Sequence, residues 1–299
     1  MPAVEIVEVS ARDGLQNEPE VASTDDKLAM IRHAVAAGIR RMEVASFVNP
    51  AKVPQMADSA AVMAGLPRDD GVTYIALALN RRGFDRAAEA GAREVNFVLA
   101  ASDTFAARNS GSSIQGLVDT LAEVVDLAQP EGIRVSATIS VAFGCPFQGD
   151  VDPAVVERLA GQAAQAGAFE VALADTIGVA DPGRVRDAFA RARKAAAGAQ
   201  LRAHFHNTRN TALANVLAAV EAGVTVIDGS LAGIGGCPFA PGAAGNVPTE
   251  DVLYMLDRMG FATGVDLEAA IAAARHIGVV LGRATPGMVS RAGGFPPKR

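Results

Sequence analysis

The chain has 299 residues, half of them hydrophobic, and it contains no low-complexity tract. This length and composition allow a large buried core, arranged either as one α/β barrel or as two smaller domains. The formal net charge of −6 and the lack of a strong Lys/Arg cluster argue against nucleic acid or an anionic membrane as the main partner.

The first residues, MPAVEIVEVS, lack the basic start and the apolar stretch of a secretion signal, and no apolar run approaches membrane-spanning length. We therefore expect a cytoplasmic protein. Cys145 and Cys237 are the only cysteines, which is too few for a disulfide framework. Each is expected to be a free thiol.

One pattern recurs along the chain: an alanine-rich helical segment ends in Ala-Gly, and a short apolar run follows. The glycines are Gly38, Gly91, Gly167 and Gly223, and the pattern is typical of a helix C-cap that leads into a strand. It predicts eight strands, at 3–9, 39–45, 73–79, 93–99, 133–141, 169–174, 200–206 and 224–230. Helix starts are marked by expected N-caps at Thr24, Asp152 and Asp181.

Eight strands that alternate with eight helices, with apolar runs such as TYIALAL, predict a parallel sheet closed into a single (β/α)8 TIM barrel. A dinucleotide-binding domain is disfavoured, because no strand-GxGxxG-helix occurs near the start. The barrel is expected over about 3–262, and a helix at about 266–282 is appended to it. The Pro/Gly-rich tail from Pro286 is expected to be poorly fixed, or else to fold over a site.

Polar residues follow several predicted strand ends, which is where a TIM barrel places its catalytic groups. His204 and His206 alternate in strand 7 and therefore share one face. Together with Asp13 and the amide of Asn246 they would form an open shell of nitrogen and oxygen ligands, which suits Mg²⁺ or Mn²⁺. A surface or hydrogen-bonded histidine pair is the alternative.

The remaining candidates each have a simpler alternative. Arg12 is placed to stabilise negative charge on a substrate, or it forms a solvated ion pair with Asp13. Glu43 is a site carboxylate or an ordinary strand-end residue, and Asp175 is a site carboxylate or a turn residue. Cys237 lies in a glycine-rich loop, which favours a chemical role, whereas Cys145 is expected to be structural.

Six segments resemble, in order, the motifs of the 3-hydroxy-3-methylglutaryl-CoA lyase family of TIM-barrel metallolyases. They are EVSARDGLQNE, EVASFVNPAKVPQMAD, FGCPFQG, ADTIGVADP, HFHNTRNTALAN and AGIGGCPFAPGAAGN, and they span about residues 4–265. The resemblance implies metal ligands at Asp13, His204, His206 and Asn246. It also implies a catalytic arginine at Arg12, a mobile-loop cysteine at Cys237, a supporting acid at Glu43, and substrate or CoA contacts at Gln16 and Asn109.

The resemblance also implies a reaction, with acyl-CoA as substrate and a place in leucine catabolism. The metal would acidify a hydroxyl β to a thioester, the bond between the α and β carbons would break, and Arg12 would stabilise the resulting enolate. The Cys237 thiol would then protonate the enolate carbon while its loop excludes water. The products would be acetyl-CoA and a keto acid, which is acetoacetate in the parent reaction.

Two departures from the family pattern concern the barrel mouth. Asn207 to Asn210 replace the usual Asp-Thr-Tyr-Gly after the histidines, and Ser136-Ala137-Thr138 replace the usual Arg-Gly-Tyr of strand 5. We expect Ser136 and Thr138 to share one face, to enlarge the mouth and to remove charge from it. A related substrate such as citramalyl-CoA is therefore the competitor of 3-hydroxy-3-methylglutaryl-CoA.

Three other functions stay open at the level of sequence. A Claisen-condensing acyl-CoA enzyme would share the metal site but is expected to carry a further domain, for which about thirty residues after the motifs leave no room. A metal-dependent hydrolase would need more histidines, and only His33 and His276 remain, both on predicted helices. A binding barrel without activity is the third. The sequence leaves a homodimer or higher homo-oligomer open.

Overall fold

In the computed structural model, which describes residues 1–236 and 244–296, eight parallel strands form a closed barrel in chain order. The strands are β1 (Glu5–Glu8), β2 (Arg41–Ser46), β3 (Thr73–Ala78), β4 (Glu94–Ala100), β5 (Arg134–Ser140), β6 (Glu170–Asp175), β7 (Gln200–Phe205) and β8 (Val226–Gly229). β8 pairs with β1 and closes the sheet. The predicted TIM barrel is confirmed.

Helices surround the barrel. Among the described residues they are α1 (Thr24–Ala36), α2 (Ser59–Ala64), α3 (Arg81–Glu89), α4 (Asp103–Ser110), α5 (Ile114–Ala128), α6 (Pro153–Gln165), α7 (Pro182–Ala195), α8 (Ala212–Glu221), α9 (Thr249–Arg258), α10 (Leu267–Val280) and α11 (Val289–Ala292). The appended helix is α10, whereas α4 and α11 were not predicted. No helix in this part of the chain has the length and apolar composition that a bilayer span requires.

Side chains cap several helices as their sequence predicts. Asp152 and Asp181 accept hydrogen bonds from the first backbone N–H groups of α6 and α7. The expected cap at Thr24 is wrong, because Ser23 holds that position. Its hydroxyl accepts from the Asp26 N–H at 3.1 Å, while the Asp26 carboxylate accepts from the Ser23 N–H. This reciprocal capping box satisfies two otherwise unpaired donors.

The main hydrophobic core lies between the barrel and the helices, whereas the barrel interior is largely charged. A small apolar cluster of Val7, Val9, Ile75 and Val226 fills part of that interior. Much of the rest is occupied by long polar side chains, because every second residue of a strand points toward the barrel interior. The layers of branched apolar residues that usually fill a TIM barrel are therefore incomplete here.

Arg41 is the centre of the charged interior. Its guanidinium donates to Glu170 Oε2 at 2.7 Å and Oε1 at 2.9 Å, and it also donates to Glu94. Arg202 lies 3.2 Å from Glu170, and Arg134 reaches Glu94 from the surface. Arg41, Glu94, Glu170 and Arg202 are all nearly inaccessible to water. In this network the chain thus matches the buried charges of Arg41 and Arg202 with those of Glu94 and Glu170.

The C-terminal segment, defined here as residues 283–292, is docked rather than poorly fixed as expected. Arg283 donates twice to Glu18 in the loop after β1, at 2.6 and 2.7 Å. The Gly287 N–H donates to the Ala232 carbonyl, and Asp251 accepts from the N–H groups of residues 288 and 289. The segment therefore joins the loops after β1 and β8, which its Pro/Gly-rich composition did not reveal.

Replacement of Arg41 by Met should destabilise the barrel strongly. The change leaves Glu94 and Glu170 buried with their charges incompletely matched, and removing one partner of such a pair typically costs about 3–5 kcal/mol. Chemical denaturation monitored by circular dichroism would measure the change in the free energy of unfolding. Arg134→Met is the matched control, because its half-exposed side chain should contribute about 1 kcal/mol or less. Equal losses in the two variants would contradict a special role for the buried charges.

Candidate active site

A cavity of about 640 Å³ opens at the carboxyl ends of the barrel strands. Its floor is formed by inward-facing strand residues, and its walls come from the loops and from α4. The apolar lining includes Val48, Val53, Leu77, Leu79, Val98, Phe105 and Phe147, and the polar lining includes Arg12, Asp13, Asn96, Thr138, His204, His206 and Asp228. A concave site that combines apolar walls with a few convergent polar groups is typical of ligand binding.

Asp13, His204 and His206 gather at one side of this cavity. Asp13 belongs to a π-helical turn (Ser10–Gly14) after β1, and the two histidines lie at the end of β7. One ligand atom of each lies within 4.8 Å of the others, and the histidine Nε2 atoms are 3.8 and 3.5 Å from Asp13 Oδ2. Among the described residues, no other group of three His, Cys, Asp or Glu side chains gathers in this way. Two nitrogens and a carboxylate oxygen could hold a divalent metal ion.

Arg12 is held beside this group by two carboxylates. It donates to Asp13 Oδ1 at 2.6 Å and, through Nε, to Glu43 Oε1. Burial opposes its charge, but Asp13 and Glu43 raise the pKa of Arg12 above its ordinary value. The guanidinium is therefore a permanent positive charge at the cavity wall. Glu43 is almost fully buried and does not line the cavity, so its part in the geometry is to hold Arg12.

His204 is oriented by a buried carboxylate on the neighbouring strand. Its Nδ1 lies 3.0 Å from Asp228 Oδ2. Burial disfavours charge on Asp228, but Arg202 and His204 lower the pKa of Asp228. Burial likewise opposes ionisation of Asp13, and Arg12 with the two histidines holds the pKa of Asp13 well below its usual range. An ionised Asp228 favours a proton on Nδ1 of His204 and leaves Nε2 to face Asp13.

Asn246 also reaches the cluster, but with its amide nitrogen. Nδ2 donates to Asp13 Oδ2 at 2.7 Å and to the Ile234 carbonyl at 3.2 Å. Ligation of a metal through its amide oxygen would require the amide to turn by half a revolution. Cys237 lies outside the described residues. Cys145 is a buried free thiol whose Sγ lies 3.0 Å from Ser102 Oγ, as expected for a structural cysteine.

The residues expected to contact substrate or CoA fall into two groups. Gln16, Asn109 and Thr138 line the cavity. Ser136 does not, because it is in register with the buried Glu170 of β6 and is itself fully buried. The expectation that Ser136 enlarges the barrel mouth is therefore not met. The expected loss of charge near strand β5 is not met either, because the Arg202 guanidinium of β7 donates to the Thr138 hydroxyl oxygen.

Asp175 lies at the end of β6, but both of its carboxylate oxygens are used by the following loop. Oδ1 accepts from the Val179 N–H at 2.9 Å, and Oδ2 accepts from the Ala180 N–H at 3.0 Å. The carboxylate is fully buried, which raises the pKa of Asp175. It does not line the cavity. This geometry fits the alternative of a turn residue that shapes the loop.

Sequence reasoning missed two side chains at the floor of the site, Asn96 and Asp228, and one beneath the floor, Arg202. A signal existed for Arg202, because it precedes His204 and His206 at the same two-residue period and so faces the same interior. Asp228 lies in β8 and Glu43 lies in β2, and each turns its carboxylate toward the barrel interior. No local pattern marks Asn96, since its partners lie on β2 and β5.

Buried carboxylates also support the base of the loop after β8. Glu8 accepts from the Leu231 N–H, and Glu250 accepts from the Ala232 N–H at 3.0 Å. The other oxygen of Glu250 has no hydrogen-bond partner and lies against Gly287, where any Cβ would collide with it. Burial raises the pKa of Glu250 to about 8. The group therefore favours its protonated form near neutral pH.

Comparisons with known proteins point in one direction. The HMGL-like family model matches residues 3–277. A Pseudomonas aeruginosa protein named 3-hydroxy-3-isohexenylglutaryl-CoA/hydroxy-methylglutaryl-CoA lyase is 44% identical, over 97% of this chain and 96% of its own. The crystal structure of hydroxymethylglutaryl-CoA lyase from Pseudomonas aeruginosa has a TM-score of 0.93, 43% identity and 98% coverage of both chains. An HMG-CoA lyase structure from Acinetobacter baumannii, in complex with coenzyme A and 3-methylmalate, has a TM-score of 0.94 and 37% identity over 99% and 97% of the two chains.

Replacement of Glu250 by Gln should make stability less sensitive to alkaline pH. The pKa of Glu250 is raised from 4.5 to about 8, so its favourable contribution is complete below pH 4.5 and is lost as the pH rises towards 8. Gln does not ionise. The melting temperature of Glu250→Gln relative to the unmodified protein should therefore rise as the pH increases from about 5 to about 9.

Thermal denaturation of metal-free protein across that range would measure the effect. Glu89→Gln, on the exposed face of α3, is the control and should follow the unmodified protein at every pH. If the curves of Glu250→Gln and the unmodified protein run parallel, Glu250 does not titrate as stated.

Proposed function

Because the chain belongs to the HMGL-like family, we propose that it is a divalent-metal-dependent carbon–carbon lyase that cleaves 3-hydroxy-3-methylglutaryl-CoA to acetyl-CoA and acetoacetate. One observation carries the proposal: Asp13, His204 and His206 converge beside the Arg12 guanidinium in a cavity at the carboxyl end of the barrel. The cluster supplies metal ligands and the guanidinium supplies a site for developing negative charge.

Mg²⁺ or Mn²⁺ is the proposed cofactor, since the ligand set is open and contains oxygen as well as nitrogen. Asp13, His204 and His206 would hold it, and Asn246 would join them after its amide turns. The ligand separations within 4.8 Å fit a single ion. When bound, such a cation supplies Lewis acidity that lowers the pKa of the substrate's tertiary hydroxyl.

Arg12 stabilises the charge that forms when the carbon–carbon bond breaks. The hydroxyl proton passes to a base, the hydroxyl carbon becomes the ketone of acetoacetate, and the bonding electrons move into the thioester as an enolate. A guanidinium fixed by Glu43 and Asp13 needs little reorganisation to meet that oxyanion. Groups of this kind lower the activation free energy by about 3 kcal/mol or more. Glu43 acts by positioning Arg12.

Cys237 is the proposed donor of the last proton. Its thiol would protonate the enolate carbon to give acetyl-CoA, and its glycine-rich loop would exclude water during the step. The base of that loop is anchored beside the site, because Asn17 donates to the Gly236 carbonyl at 3.1 Å.

Gln16 and Asn109 are proposed to contact the CoA ester, and Thr138 to lie near the acyl group. A structural relative carries coenzyme A and 3-methylmalate, which supports an acyl-CoA substrate. Citramalyl-CoA, which would yield pyruvate, is the second candidate because Thr138 leaves more room than a large aromatic side chain. Small changes of pocket shape discriminate by about 1–3 kcal/mol, so the specificity constants of the two thioesters decide between them.

Purified protein should release acetoacetate and acetyl-CoA from 3-hydroxy-3-methylglutaryl-CoA, and a chelator should abolish the release. Mg²⁺ or Mn²⁺ should restore it. His206→Ala should lose Mn²⁺ binding in a calorimetric titration without loss of circular dichroism. His33→Ala, on an exposed face of α1, is the matched control and should keep both activity and Mn²⁺ binding. Undiminished Mn²⁺ binding by His206→Ala would remove this residue from the ligand set.

Cys237→Ser should lower kcat by orders of magnitude and leave KM and Mn²⁺ affinity nearly unchanged, because only proton delivery is lost. Arg12→Lys should be nearly as damaging, since a point charge does not replace a planar donor fork. Steady-state kinetics would measure both effects. Cys145→Ala is the control thiol substitution, outside the cavity. The mechanism is wrong if Cys237→Ser and Arg12→Lys each reduce kcat only slightly.

A further inference from the structure

The floor of the cavity contains a continuous series of hydrogen bonds that starts at Arg12. Glu43 Oε1 accepts from Arg12, and Glu43 Oε2 accepts from Asn96 Nδ2 at 2.7 Å. Asn96 Oδ1 accepts from the Thr138 hydroxyl at 2.9 Å, and Thr138 Oγ1 accepts from Arg202 Nη2 at 3.2 Å. The series crosses the barrel from the loop after β1 to β7.

Arg202 determines the direction of the hydrogen bond between Thr138 and Asn96. A guanidinium only donates, so the Thr138 oxygen must be the acceptor and its proton is free for Asn96. That proton selects the amide oxygen of Asn96, and the amide nitrogen then faces Glu43. The orientation of Asn96 is therefore set at both ends of its amide, because Glu43 accepts from the nitrogen and Thr138 donates to the oxygen. With a non-polar group at 138, the amide oxygen would lose its donor and Asn96 would be held by Glu43 alone.

A second route leads from Arg202 to the metal-ligand group. Arg202 Nε lies 3.3 Å from Asp228 Oδ1, and Asp228 Oδ2 lies 3.0 Å from His204 Nδ1. His204 Nε2 in turn faces Asp13, which also accepts from Arg12. The two routes therefore both begin at Arg202 and meet at Asp13, and the link between Arg202 and Asp228 is an ion pair without hydrogen-bond geometry.

Burial fixes the two charged groups at the ends of the Arg12 route. Arg202 and Glu43 are each 1% exposed and neither lines the cavity, so water does not replace their partners, whereas Asn96 and Thr138 between them line the cavity floor. Arg202 does not line the cavity and therefore has no contact with a substrate there. Its influence on Arg12 and on His204 must pass through Thr138 and Asp228.

We propose that Arg202 and Thr138 are positioning residues that jointly set the orientation of Arg12 and of His204. The inference rests on the proposed lyase function for its kinetic consequences and on the metal site for its binding consequences. Thr138 acts on the Arg12 route alone. Arg202 acts on both routes, and loss of a group that orients a metal ligand typically weakens metal affinity about 10–100-fold.

The test uses the full-length protein and four variants. Thr138→Val keeps the volume and removes the hydroxyl, Thr138→Ser restores it, and Arg202→Lys keeps the charge but cannot reach Thr138 and Asp228 in the same geometry. Ser46→Ala is the matched control, because its buried hydroxyl on β2 has no hydrogen-bond partner. Circular dichroism and melting temperature would verify that each variant folds.

For Thr138→Val we expect kcat to fall about tenfold, with KM and Mn²⁺ affinity within about twofold of the unmodified protein, as for loss of an interaction made only in the transition state. Thr138→Ser should recover most of kcat, and Ser46→Ala should match the unmodified protein. An unchanged kcat in Thr138→Val, or a raised KM alone, overturns the inference, because Thr138 would then be a substrate contact or have no role.

For Arg202→Lys we expect Mn²⁺ affinity, measured by calorimetric titration without substrate, to fall about tenfold or more together with kcat. Mn²⁺ affinity equal to that of the unmodified protein overturns the Arg202 route to His204. If the unmodified protein cleaves no hydroxyacyl-CoA, the proposed function fails, whereas this titration still decides whether Arg202 orients the metal ligand. The two failures are therefore distinguishable.

Discussion

Guanidinium groups buried inside the barrel and matched by carboxylates are the interaction on which the structure depends. A charge without a partner in this interior would cost many kcal/mol. The buried guanidinium groups are tolerated because each lies at hydrogen-bonding distance from a carboxylate. Arg41, Glu94 and Glu170 form ion pairs that fill the lower part of the barrel. Arg202 pairs with Glu170 and extends this network toward β7. The interior thus provides a fixed polar scaffold where most barrels have interdigitated apolar layers.

The reaction proposed for this protein benefits from that scaffold. The metal ligand set and the oxyanion site must hold their relative positions while charge moves between them, and preorganised groups do so without reorganisation at the moment of reaction. Arg12 is fixed by Glu43, and His204 is fixed by Asp228. Val98 and Phe105 belong to the apolar lining of the same cavity, which offers a dry surface to the apolar part of a ligand.

The sequence predicts the barrel well because its signals are local. Ala-Gly helix ends and buried apolar runs mark each βα unit, and Gly38, Gly91, Gly167 and Gly223 all adopt the positive φ that this position requires. Asp13, His204 and His206 could be placed together because strand ends converge in such a fold. The docking of the C-terminal segment and the partners of Asn96 could not be predicted, since they join residues from distant parts of the chain.

The contact between Arg283 and Glu18 has a consequence for the loop that carries Arg12 and Asp13. The same C-terminal segment donates to Glu18 after β1 through Arg283 and to the Ala232 carbonyl after β8 through the Gly287 N–H. The two loops therefore share one brace, and a shift of that segment would act on both loops together.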